Sequence, residues 1–334
     1  MQNVICLIAP TASGKTALAY ELYDTGKYYL ISVDSALIYR DMNIGTAKPT
    51  IEELAKYPHA LVNIIDPTQS YSVAQFVTDV QAHINIAHAQ DKTPLLVGGT
   101  MMYYMALLEG MNDIPATEPA VREQVAGMIA EQGIEKVHEF LTQIDPIMGA
   151  KFFPTDTQRI GRAVEVFVQT GRPLSNWQNQ PNIALADNAN QHWQIYAIMP
   201  ERSWLHERIA LRLDIMWEQG FVQEVRDLRQ KYPLTADMPS MRCVGYRQAW
   251  DYLDKLEQLE KGLNTPAILP NLPHLSLKQQ YRQSMQNEAL YATRQLAKRQ
   301  YTWLRKLTTS PTIAKKVGDL QCFDKVADVT NWLR

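Results

Sequence analysis

The apolar run VICLIAP passes straight into TASGKT, so residues 9–16 read Ala9-Pro10-Thr11-Ala12-Ser13-Gly14-Lys15-Thr16, and the helix-like TALAYELY follows. Strand, loop and helix in this order make a phosphate-binding loop. Successive backbone N–H groups wrap a diphosphate, and the helix opening at Gly14 adds its positive end. Lys15 reaches the outer phosphate, and the Thr16 hydroxyl is placed to ligate Mg²⁺. Ala9 stands where such loops usually begin with glycine, the smallest departure available.

Gripping a diphosphate does not by itself name a reaction. Hydrolases and kinases of this class carry a second apolar strand ending in Asp or Glu, which holds Mg²⁺ and orients water or acceptor. Here the corresponding strand, TPLLV at 93–97, ends in Gly98-Gly99-Thr100 with no carboxylate. The acids follow other strands: Asp34 after LISV and Asp66 after ALVNII. Both belong at the carboxyl edge of a parallel sheet, where ligands bind in such folds. By position Asp34 suits a helix N-cap, a magnesium ligand or a general base. The two glycines let a ligand approach the backbone closely, and Thr100 suits an N-cap in a strand-to-helix turn.

The elements that must position these groups are strands near 4–8, 29–33, 61–65 and 94–97 alternating with helical segments. That is the pattern of a parallel sheet covered on both faces, and the fold class expected is α/β with a P-loop NTPase-like core. Ser72 and Gln75 have the spacing of a capping box at the start of a helix whose apolar positions are Val73, Phe76, Val77, Val80 and Ile84. Between 113 and 192 the strand pattern vanishes, and helical segments are expected from about Thr117 to Gly133, over 134–144 and from Asp156 to Gly171. Residues 113–192 are therefore expected to be a helical insertion domain in a core of 1–112 and 193–334. Within the insertion 176–192, rich in Asn, Gln and Ala, predicts a mobile surface linker. The strand pattern returns at WQIYAIM, 193–199, and after 200 the chain reads as mostly helical. A charged, proline-bearing excursion spans 255–279, and a long helix runs from about 276 to 307.

The chain has 334 residues, 46% of them hydrophobic, enough for a large core and about two domains. No apolar run approaches the ~18 residues of a bilayer span, and the first strand begins at the N-terminus without a basic leader, which points to the cytoplasm. Cys6, Cys243 and Cys322 lack metal-ligand spacing. The formal net charge of −2 argues against nucleic-acid binding only on average. From Arg294 to Lys306 five side chains are basic and none is acidic, so a basic footprint could be local.

APTASGKT, SVDSALIY, IGTAKP, LLVGGT, RCVGYR and ATRQLAKRQYTWLR, in this order, resemble the motifs of bacterial tRNA dimethylallyltransferases, from the first strand to about residue 307. The resemblance implies transfer of a dimethylallyl group from dimethylallyl diphosphate to N6 of adenine 37 in tRNAs reading codons that begin with U. It implies a cytoplasmic monomer using Mg²⁺ bound at Thr16, with residues 9–16 holding the diphosphate. Asp34 is then similar to the family's general base, Arg212 to the arginine that stabilises the diphosphate, and Thr100 to a threonine beside the target base. Read from composition alone, Arg212 instead belongs to an exposed ion-pair face with Glu207 and Asp214.

For tRNA the resemblance implies contacts from Asp34, Ser35, Ala36, Leu37, Thr100 and Arg122, from Gln158, Arg159, Ile160, Gly161 and Arg162 on the insertion, and from Arg242, Cys243, Val244, Gly245, Tyr246 and Arg247. It implies a further set on the last long helix: Lys298, Arg299, Gln300, Tyr301, Thr302, Trp303, Leu304 and Arg305. Periodicity sets Ile160, Val164 and Phe167 inward and Gln158, Arg159 and Arg162 outward. Val244 is expected in the core, with Tyr246 free to stack on a base. On the last helix Arg294, Lys298, Tyr301 and Arg305 are expected on a basic face, with Leu296, Trp303 and Leu307 packing on the other. Three rivals share parts of this pattern: an adenylate (AMP or ADP) isopentenyltransferase, a P-loop kinase for a small metabolite, and a nucleotide-switched RNA-binding protein. The insertion and the basic helix have no evident use with a mononucleotide, and the GGT strand end disfavours a kinase.

Overall fold

A computed structural model of the chain describes residues 1–262 and 276–333. Six strands, β1 (Gln2–Ile8), β2 (Tyr28–Val33), β3 (His59–Ala60), β4 (Thr93–Gly98), β5 (Gln191–Ile198) and β6 (Asp319–Phe323), form one parallel sheet in the order β3-β2-β4-β1-β5-β6. Alternate side chains of β1 serve both faces. Val4, Cys6 and Ile8 pack with Phe76, Val80 and Tyr104, while Ile5, Leu7 and Ala9 pack with Leu18, Leu22 and Val329. Burial on both sides explains why these strands are apolar runs rather than alternating ones.

The register positions the chemistry. Ile8 of β1 and Val33 of β2 both lie opposite Gly98 of β4, so the three strands end level and release the phosphate loop, Asp34 and Gly99-Thr100 side by side. Neither glycine tolerates a side chain: a Cβ on Gly98 would sit 2.0 Å from the Val33 carbonyl oxygen, and one on Gly99 would sit 3.0 Å from that of Ala9.

Four helices accompany the first strands: α1 (Lys15–Tyr23), α2 (Ile51–Lys56), α3 (Val73–Ala89) and α4 (Met101–Glu109). The capping box at Ser72 is formed, with the Gln75 N–H donating to Ser72 Oγ and the Ser72 N–H donating to Gln75 Oε1. A second compact unit, Glu109–Ala184, holds α5 (Pro119–Gln132), α6 (Ile134–Ile144), α7 (Pro146–Lys151), α8 (Thr157–Thr170) and α9 (Leu174–Gln178) around its own core of Val137, Leu141, Met148, Ile160 and Val164. The first unit is Met1–Leu108 with Leu185–Arg334. Its later helices are α10 (Arg202–Glu218), α11 (Phe221–Lys231), α12 (Tyr246–Glu260), α13 (Leu277–Thr309), α14 (Pro311–Lys316) and α15 (Val326–Leu333).

Several elements differ from the sequence expectation. The second unit starts at 109 and ends at 184, because the turn Leu185–Asp187 joins the first unit's core through Ala186 and Leu185. Short helix α9 and buried Ala184 and Ala186 replace part of the expected linker. Residues 61–65 do not form a strand: Leu61 (φ 64°) and Asn63 (φ 58°) turn left-handed, and 63–65 instead hydrogen-bond to 37–38. Strand β6 was hidden because DLQCF is short and half-exposed at the sheet edge. The excursion expected over 255–279 overlaps the end of α12 and the start of α13, and 263–275 lie outside the described residues.

Candidate active site at the carboxyl edge of the sheet

A cavity of about 760 Å³ opens where β1, β2 and β4 end, and residues 11–16, Asp34 to Leu37, Gly98 to Thr100 and Arg212 all line it. Ala9 is fully buried and lies outside the left-handed region, so this loop has no need of glycine there. The left-handed positions are Ala12 (φ 61°) and Gly14 (φ 90°), the latter just before α1. The Ser13 hydroxyl is buried in the loop with no hydrogen-bond partner among the described residues, and Thr16 is exposed on the first turn of α1.

Lys15, Arg208, Arg212, Arg242 and Arg299 line this cavity together with Asp34. Burial pushes the Lys15 ammonium down to about 8, against the pull of Asp34 and with the push of Arg212. Burial also lowers Arg212, again opposed by Asp34, and Arg208 adds to the lowering. The Arg212 guanidinium reaches Thr11 Oγ1 at 3.4 Å, and neither Glu207 nor Asp214 pairs with it among the described residues. Five basic side chains against one carboxylate give the cavity an excess of positive charge, which a diphosphate would balance.

Asp34 caps a turn rather than a helix: Oδ1 accepts from the N–H groups of Ala36 at 2.8 Å and Leu37 at 3.3 Å. Its Oδ2 takes no hydrogen bond from the described residues. The Ser35 N–H donates to Thr100 Oγ1 at 3.0 Å, which ties the two strand ends together. Asp66 is elsewhere, in an exposed pair with Arg40 at 2.9 Å.

The loop after Asp34 is held by two groups that sequence reasoning missed. Buried Lys48 donates from Nζ to the Tyr39 carbonyl at 2.5 Å and to Asn63 Oδ1 at 2.7 Å, and burial pushes it down to about 8. Glu224 of α11 accepts from the N–H groups of Asn43, Ile44 and Gly45 at 2.9, 2.6 and 3.2 Å, and from Tyr246 Oη at 2.5 Å. A glutamate in an amphipathic helix carries no local signal for such a distant contact.

The expected RNA contacts divide by burial. Arg242 and Arg247 are exposed, and Cys243 and Val244 line the cavity half-exposed. Tyr246 is wholly buried and its hydroxyl is spent on Glu224, so the core takes Tyr246, not Val244, and no base can stack on it. Gly245 is buried as well. On α13 Lys298 and Arg305 are exposed and Leu307 is buried as expected, but Tyr301 and Trp303 have exchanged sides. Tyr301 packs inward with its hydroxyl on the Pro200 carbonyl, beside buried Ala297, Gln300, Leu304 and Leu307. Trp303 is 40% exposed with Lys306 over its ring, on the side that carries Lys298, Arg299, Thr302 and Arg305. Leu304 is therefore removed from any RNA surface, and Gln300 shows only a small face to the cavity.

In the second unit Gln158, Arg159 and Arg122 are exposed, whereas Ile160 and Gly161 are buried. Arg162 is occupied internally: it donates to Thr117 Oγ1 and to the Pro115 carbonyl, with Glu165 at 3.8 Å.

Residues 37–307 match the IPP transferase family model. A tRNA dimethylallyltransferase of a Psychrobacter species is 58% identical over 315 residues, 92% of this chain and 86% of that protein. A tRNA dimethylallyltransferase of Acinetobacter baumannii is 48% identical, covering 91% and 90%. The crystal structure of a full-length tRNA isopentenylpyrophosphate transferase from Bacillus halodurans superposes with a TM-score of 0.60 at 28% identity, covering 100% of this chain and 96% of that one. With its phosphate loop, Asp34, GGT strand end and the basic helix α13 drawn to one sheet edge, the chain belongs to the IPP transferase family, among the tRNA dimethylallyltransferases.

Proposed function

We propose that the protein transfers a dimethylallyl group from dimethylallyl diphosphate to N6 of adenine 37 in tRNA. The observation that carries this is the convergence of Lys15, Arg212 and the free Oδ2 of Asp34 in a single cavity whose β4 edge offers no carboxylate to activate water. The N6 lone pair attacks C1 of the allyl group as the C1–O bond breaks and its electron pair leaves with the diphosphate. Asp34 Oδ2 takes the proton from N6, while Lys15, Arg212 and the loop N–H groups stabilise the charge gathering on the leaving group. Arg212 is suited to this because its Thr11 contact holds it over the loop.

Mg²⁺ fits the donor set as a partner of the substrate. Among the described residues no three His, Cys, Asp or Glu side chains could cage a metal. Thr16 Oγ1 with diphosphate oxygens and water matches how Mg²⁺ binds, and the bound ion would neutralise the leaving group. A loop adenine, already unpaired, flips into such a cavity at low cost. Exposed Arg242, Arg299 and Trp303 line the cavity and suit phosphates and a stacked base. A single chain supplies every group named, so a monomer would suffice for the reaction on tRNA.

Incubation of the pure protein with dimethylallyl diphosphate and either an anticodon stem-loop carrying adenine 37 or free AMP tests this. The expected result is N6-dimethylallyladenosine in the stem-loop with equimolar diphosphate and none in AMP, because binding of the stem holds the flipped base. Efficient transfer to AMP with no gain from the stem-loop would assign an adenylate isopentenyltransferase.

A further inference from the structure

We propose that Gln300 is a positioning residue that locks the donor loop to the strand end holding the acceptor base; the proposal rests on the function assigned above. The family resemblance sets it among RNA contacts, yet the residue is only 9% exposed within α13. Its Oε1 accepts from the Thr11 N–H at 3.0 Å, and its Nε2 donates to the Gly99 carbonyl at 2.8 Å. Only one orientation of the amide satisfies both partners, since a flipped amide would set N–H against N–H and oxygen against oxygen.

The two backbone groups belong to opposite halves of the reaction. Thr11 lies in the diphosphate loop and carries the Arg212 contact on its hydroxyl. Gly99 precedes Thr100, whose hydroxyl accepts from the Ser35 N–H beside Asp34. One amide thus closes a continuous path from the leaving group to the base. Gly99 itself makes room for the amide, because a Cβ there would sit 2.6 Å from Gln300 Nε2. Each substrate can bind its own half without this bridge. Transfer cannot, because N6 and C1 must meet at about 3–3.5 Å along the line of the breaking bond.

Gln300→Met keeps the length of the side chain and removes both bonds. Expected are a fall in kcat of about 10- to 10²-fold, the scale of a small misplacement, and Kd values for dimethylallyl diphosphate and the stem-loop each within about threefold of wild type. Gln300→Glu should retain the Thr11 bond but repel the Gly99 oxygen until it is protonated. Burial and the facing Gly99 oxygen raise that carboxyl above the ordinary glutamate range, so its kcat relative to wild type should climb as pH falls from 8 to 5, while the ratio for Gln300→Met stays flat. Exchange of the Thr11 amide, slow in wild type and fast in Gln300→Met, reads the bridge without substrate. A wild-type protein inactive with this donor would thus count against the assigned function, not the bridge. Losses of Kd as large as the loss of kcat, a Gln300→Met kcat within about threefold of wild type, or a flat Gln300→Glu ratio would overturn the proposal. Should Gln300→Met fail to fold, the pH ratio of Gln300→Glu decides alone.

Discussion

Removing the Glu224 carboxylate should loosen the whole acceptor side of the site without touching a reacting group. Four donors converge on its two oxygens: the N–H groups of residues 43, 44 and 45, and the Tyr246 hydroxyl. A hydrogen bond to a charged group contributes about 1.5–3 kcal/mol, and a buried donor left unsatisfied costs about 1–3 kcal/mol. Asn43 is exposed, so water replaces its lost acceptor. Ile44 and Gly45 are only half-buried, which halves their share, and the Tyr246 hydroxyl is left in the core. Glu224→Ala should then cost about 3–5 kcal/mol. At roughly 2 °C per kcal/mol for a chain of this size, that lowers Tm by about 6–10 °C. Glu224→Gln keeps one accepting oxygen and lets the Tyr246 hydroxyl turn to accept, so about 2 kcal/mol is expected. Thermal unfolding followed by far-ultraviolet dichroism reads both variants. A Glu224→Ala Tm within about 1 °C of wild type would refute the view that this carboxylate holds the loop.

Lys15 makes donor binding sensitive to alkali. Its free-enzyme pKa is lowered to about 8, so the ammonium needed by the diphosphate is present below that value and lost above it. Donor KM should rise about tenfold from pH 7 to 9 with kcat little changed, and Lys15→Arg should lose this dependence; steady-state kinetics across pH with a saturating stem-loop decide, and a flat KM contradicts it. Trp303→Ala and Arg299→Ala should each weaken stem-loop binding, the latter with a shallower salt dependence, whereas Tyr301→Phe should lower stability and spare stem-loop affinity. Fluorescence anisotropy over a range of salt measures this, and an unchanged salt slope for Arg299→Ala returns that residue to a solvated face.

Much of this site is legible in local sequence because strand ends and phosphate loops are local structures. The order of VICLIAP, TASGKT and TALAYELY places Lys15 and Thr16, and the capping box places the start of the helix at Val73. What fails locally is any feature that depends on a remote neighbour. Residues 61–65 look like a strand by composition, yet two left-handed turns and the groups of 37–38 claim them. On α13 charge alone suggests a face through Tyr301, but the stripe that packs runs Ala297, Gln300, Tyr301, Leu304 and Leu307, which leaves Trp303 outside. A polar residue such as Gln300 reads as surface until its two backbone partners, Thr11 and Gly99, are seen around it. Glu224 is hidden for the same reason, and Lys48, although it lies in the IGTAKP motif, shows its role only once Tyr39 and Asn63 are seen around it.

The most direct measurement of the central claim is a single-turnover comparison of wild type with Asp34→Asn, using labelled dimethylallyl diphosphate and excess stem-loop, with stem-loop Kd measured in parallel. Asn keeps the acceptor for the Ala36 and Leu37 N–H groups but cannot take a proton from N6. The account predicts a transfer rate lower by about 10²-fold or more with stem-loop affinity within about threefold of wild type. Transfer by Asp34→Asn at the wild-type rate, or a loss of affinity as large as the loss of rate, would contradict it.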